Sequence, residues 1–124
     1  MGDVLAYLAA GIVALWGVAH VAPTSAVVKG FGDIDPDNRR VIAQEWIAEG
    51  FTMWFVAALV IGATVIGGAH QSETRWVYRA SACMLVAVGV LTAVTGARTG
   101  VIWFKICVLV MGIGAALLVA ASVV

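Results

Sequence analysis

Charge is scarce in this chain. Seven basic and seven acidic residues make up 11% of its 124 positions and cancel to a net charge of zero. Nothing in that balance could track a phosphate backbone, so no nucleic-acid partner is expected. Proline occurs twice, at Pro23 and Pro36, which leaves everything beyond residue 36 free of that helix breaker. Histidine is limited to His20 and His70, and cysteine to Cys83 and Cys107. His20 has no second histidine or thiolate near it, so no metal site is expected. His70 falls at the other membrane face, so one chain cannot supply two axial histidines to a haem. There is no Cys-x-x-Cys, no serine-nucleophile motif and no glycine-rich phosphate loop. The sequence therefore predicts no cofactor. No basic region precedes the first apolar stretch, so a cleavable signal peptide is not expected either.

What remains is grease. Hydrophobic residues make up 63% of the chain, and the mean hydropathy is +1.05, far above a soluble domain. Four stretches are long enough to cross a bilayer: about 4–22, 46–68, 78–97 and 101–123. Continuous apolarity without strand-like alternation leaves helix as the only way to satisfy the backbone in lipid. The expected fold is all-α: a four-transmembrane-helix bundle, up-down-up-down, forming one integral membrane domain over 1–124. Cys83 and Cys107 lie at different depths in it, about 10 Å apart along the normal by helical rise, so no disulfide is expected.

Residues 23–45 form a loop followed by a helix extension. Asp35 can accept from the free amides of a first turn, and Pro36 suits the first helical position. A helix from there to Gly67 would run roughly 48 Å, against a hydrocarbon core of about 30 Å. The second span therefore stands out of the membrane at its N-terminal end. The segment Pro23 to Ile34 carries Val27, Val28 and Phe31, and either covers the bundle's mouth or lies as an ordinary interfacial loop. Five basic residues (Lys29, Arg39, Arg40, Arg98, Lys105) share this face and two (Arg75, Arg79) the other. The positive-inside rule then puts this face in the cytoplasm of a multi-pass protein.

The same face gathers the polar residues. His20 ends the first span, Glu45 and Glu49 share one side of the second, and Arg98 and Lys105 flank the start of the fourth. Paired carboxylates at a drying surface, beside an imidazole, are the materials of proton transfer. Glu49, His20 and Glu45 are the candidate catalytic residues. Lys105 and Arg98 are candidate charge stabilisers, and Trp16, Trp54, Met53 and Phe104 could line an apolar pocket beneath them. The expectation is cofactor-free, isomerase- or cyclase-like chemistry on a small lipophilic ligand.

Blander readings account for the same residues. Lys105 and Arg98 can snorkel to headgroups, Glu45 can be solvated, and the aromatics can be belt or core. Alternatively Glu49 and Lys105 form a structural ion pair in an accessory subunit or homo-oligomer. In that reading, small residues on the fourth span (Gly112, Ala116 and Ala120, in line with Lys105 and Leu109) face neighbouring helices. Ion passage is disfavoured, because Thr64 is the only polar residue between Val56 and Val65.

Overall fold

A computed structural model describes all of residues 1–124. It contains helices and no strands. The helices are α1 (Gly2–Val21), α2 (Thr24–Gly30), α3 (Pro36–Gly67), α4 (Ser72–Val94) and α5 (Ile102–Ala121), with a 3-10 turn at Gly96–Arg98. α1, α3, α5, and α4 together with its 3-10 extension, are each long and apolar enough to cross a membrane. The chain is a multi-pass integral membrane protein built as a helical bundle.

α3 starts where the sequence places it. Asp35 Oδ1 accepts from the Asp37 amide at 2.8 Å, with Pro36 in the first turn. It runs unbroken for 32 residues to Gly68, whose φ of 67° belongs to the left-handed region that glycine enters without a Cβ penalty. α2 departs from the expected loop. Two helical turns form within 23–34, with Thr24 Oγ1 donating to the Val21 carbonyl at 2.6 Å and Val28 buried. A seven-residue helix carries too few turns for its periodicity to show in sequence.

Neighbouring helices run antiparallel. Along α1 and α3, His20 meets Glu49, Ala14 meets Trp54 and Asp3 meets Ala69. α4 pairs with α5 from Gly96 against Phe104 to Arg79 against Ser122, and α5 returns along α1 with Gly114 against Val13. The core between them holds Val13, Val60, Tyr78, Leu85, Met111 and Leu118, all essentially inaccessible.

One end of this bundle is laced shut. Asp3 Oδ1 accepts from the Ala69 amide at 2.6 Å, Thr74 Oγ1 donates to the Ala63 carbonyl at 3.2 Å, and Arg79 donates to the Ser122 hydroxyl and carbonyl. Thr64 Oγ1 donates to the Val60 carbonyl at 2.7 Å, which makes the Tyr78 phenol the donor in their mutual 2.7 Å bond. A double-mutant cycle of Thr64→Val and Tyr78→Phe should show a coupling of about 0.6 kcal/mol, the average for interhelical hydrogen bonds in lipid. Additive effects on the unfolding midpoint would remove this bond from the helix contact. Every α3–α4 hydrogen bond lies at this end.

The packing face of α5 corrects the expectation. Its buried residues are Cys107, Met111, Gly114, Ala115, Leu118 and Ala121. Lys105, Leu109, Gly112 and Ala116 form the exposed face instead, and a Cβ at Gly112 would meet no atom within 4 Å. Both faces carry small residues at helical spacing. Both faces carry bulky residues too, Met111 and Leu118 inside and Leu109 and Ile113 outside, so neither size nor apolarity marks the packing side.

Candidate functional site

The other end of the bundle opens around His20. The last turn of α1 carries this imidazole into the protein, where it is 6% exposed. Trp46, in the first half of α3, holds it twice over. The two rings stack with centroids 4.2 Å apart and an 11° angle between planes. The indole Nε1 also donates to the His20 carbonyl at 2.6 Å, completing one of the free carbonyls at the end of α1. Phe104, at the start of α5, meets Trp46 edge-on at 5.8 Å. The close approach of α1 and α3 depends on Gly17 and Gly50. A Cβ on Gly17 would come within 2.7 Å of the Trp54 indole, and one on Gly50 would collide with Val21.

That seam places Glu49 beside the imidazole. Its Oε2 is 3.3 Å from His20 Nε2, and its side chain is one-third exposed. The contact lacks hydrogen-bond geometry, so Nε2 is a buried nitrogen with no hydrogen-bond partner. Leaving such a group unsatisfied costs about 1–3 kcal/mol. Both residues line a partly open cavity of about 100 Å³, which also touches Leu91 and Thr92 of α4, Thr95 and Gly96 just beyond it, and Phe104 and Cys107 of α5. All four spans contribute to it. The Trp16 indole nitrogen is likewise buried without a hydrogen-bond partner.

The expected cluster is thus only partly assembled. His20 and Glu49 are brought together, and Phe104 lines the cavity with them. Glu45 is exposed, as are Arg98 and Lys105, and none of the three makes an ion pair. The expected Glu49–Lys105 pair is not formed, because Lys105 lies on the outward face of α5 while the cavity is met by Phe104 and Cys107. Met53 is packed in the core, and Trp54 bridges to the Ala14 carbonyl at 3.1 Å on the outer side of the seam. No residue of 23–34 lines the cavity, so α2 is not its lid.

Sequence reasoning missed Trp46, Thr92, Thr95 and Cys107. Trp46 was legible in part, since it precedes Glu49 by three residues and shares its helix face. The two threonines and the cysteine sit in an apolar run that gives no sign of which side faces inward. The donor set offers one imidazole, one carboxylate and one thiol, and no group of three or more potential ligands comes together to hold a metal. Compared with known proteins, the chain matches no protein-family model, no curated protein and no solved structure.

Proposed function

We propose that this membrane protein uses His20 and Glu49 as an acid–base pair on the reactive end of a small lipophilic ligand, in an isomerase- or cyclase-like reaction without a cofactor. One observation carries the reading: a buried, unpartnered imidazole nitrogen faces a carboxylate 3.3 Å away on the wall of a cavity shared by all four spans. Glu49 would take a proton from a carbon next to a carbonyl, and His20 would deliver one to the oxygen, so that charge never accumulates on the ligand. Trp46 fixes the imidazole plane, while the Thr92 and Thr95 hydroxyls on the cavity wall donate to the Val88 and Leu91 carbonyls and leave the ligand oxygen to His20.

Size limits the occupant. Ligand pockets for whole small molecules run about 300–1,000 Å³, whereas this cavity of about 100 Å³ takes a carbonyl-bearing end or about three waters at roughly 30 Å³ each. The rest of the ligand would lie in lipid, leaving between α3 and α4, whose hydrogen bonds are confined to the far end. The five-to-two division of basic residues is what supports reading this face as cytoplasmic. Arg98 and Lys105 are exposed and outside the site, so both count in that division.

Purified protein in nanodiscs, prepared without added ligand, should retain a low-mass lipophile detectable by mass spectrometry. In D2O that molecule should take up deuterium next to its carbonyl only while the protein is folded. A cavity holding water alone, with no lipophile retained, would remove the enzymatic reading. It would favour the accessory or oligomeric alternative, which draws on the outward Gly112–Ala116 face of α5.

A further inference from the structure

A second concavity, unconnected with the proposed acid–base site, lies outside the bundle. α2 packs against the projecting first turns of α3 and leaves between them an open groove of about 430 Å³. Thr24, Ser25, Val28, Lys29, Arg39, Arg40 and Ala43 line it; its wall is almost wholly carbon, and the exposed charged ends of Lys29, Arg39 and Arg40 stand at its rim. Its lining contains three cations and no carboxylate, although the 23–45 segment as a whole holds four acidic residues.

Two of those acids are already engaged. Asp35 caps α3, and Asp37 pairs with Arg40 at 2.8 Å on a face where both are about four-fifths exposed. An ion pair so exposed contributes little and yields readily to another anion. Arg39 spends one N–H on the Gly32 carbonyl at 3.3 Å, which leaves its other donors free. Lys29 makes no ion pair, and the Ser25 hydroxyl no hydrogen bond. The groove thus presents two largely free cations, a third held loosely, and a hydroxyl donor around one opening.

Its height matters as much as its charge. Ala43 lies three residues before the start of the 46–68 span, so by helical rise the groove lies roughly 4.5 Å outside that span. Phosphates of the headgroup layer sit at that level, and Phe31 and Val41, both more than half exposed, offer apolar surface beside it. We propose that this groove binds a phosphate group at the membrane surface, with Lys29 and Arg39 as the principal contacts and Arg40 and Ser25 as supplementary ones. An anionic phospholipid headgroup and free phosphate share that chemistry.

Full-length protein in nanodiscs distinguishes the two sources. Phosphatidylglycerol is titrated into phosphatidylcholine nanodiscs and counted by native mass spectrometry, with inorganic phosphate as a separate arm. The test variant is Lys29→Gln/Arg39→Gln, and Arg98→Gln/Lys105→Gln is the control for surface charge at the same face. Unfolding midpoints verify that both variants fold. Removing two cations costs either variant the same diffuse surface attraction, about fivefold per cation. Each direct charge-assisted contact to phosphate adds roughly tenfold, so the test variant should lose about a hundredfold more than the control. Variant-sensitive retention of phosphatidylglycerol with phosphate inert assigns a lipid site. Variant-sensitive binding of inorganic phosphate assigns a soluble ligand. Equal losses in test and control variants, or no loss in either, would overturn the proposal.

Discussion

Glu49→Gln should abolish proton exchange on the retained ligand while leaving the ligand bound and the bundle folded. Glutamine keeps the size and planar shape of the side chain and loses only its capacity to take a proton. The neighbouring imidazole stays in place, because Trp46 holds its ring by stacking and its backbone by a hydrogen bond. General acid–base groups contribute about a hundred- to ten-thousandfold in rate, and the loss of exchange should fall in that range. A partly exposed, isosteric change should move stability by no more than about 0.5 kcal/mol. The contrast between a large kinetic effect and a small thermodynamic one distinguishes chemistry from scaffolding. If exchange in D2O runs equally fast in Glu49→Gln and wild type, the His20–Glu49 contact is architecture and the proposed reaction fails.

Most of the fold is legible from residues that punctuate the chain. Asp35 and Pro36 mark the start of α3 and Gly68 its end, and four apolar runs with no strand period admit nothing but spanning helices. Depth is legible too, since the positions of His20 and Glu49 along their helices place both at one face. Rotation about the helix axis is where the sequence falls short. A lipid-facing side and a core-facing side can both be apolar, so hydrophobicity does not separate them, and small residues occur on either. On α5 this ambiguity makes the Lys105–Gly112–Ala116 row look like the packing face, although it points outward. On α3 the rotation is clearer, because Glu49 and Trp46 are polar markers on one side. The partners of Glu49 follow from this difference: the one on α1 is anticipated, and the one expected from α5 is not found.

The α1–α3 seam is also where a single substitution should do most to stability. Gly50→Leu puts a Cβ into the space of the Val21 methyl and 3.4 Å from the Gly17 carbonyl, then adds three more carbons between the helices. Val21 is β-branched and has little rotamer freedom on a helix with which to retreat. In water a strained interface is still pressed together by the apolar surface it would expose. In lipid that force is absent, because acyl chains solvate a separated helix as well as its partner does. Overpacking costs about 1–3 kcal/mol, and here nothing offsets it, so the unfolding midpoint should fall by an amount at the upper end of that range. The effect should reach the site, since Gly50 follows Glu49 and the Trp46–His20 stack lies one turn away. Ligand retention should therefore be lost together with stability, unlike in Glu49→Gln. Gly112→Leu provides the comparison: the same change of residue in a position with no atom within reach of a Cβ. It should leave the midpoint unchanged or raise it by about 1 kcal/mol, the helix propensity that glycine forgoes. Should Gly50→Leu unfold no earlier than Gly112→Leu, the glycine contact does not hold α1 against α3, and His20 and Glu49 are brought together by something else.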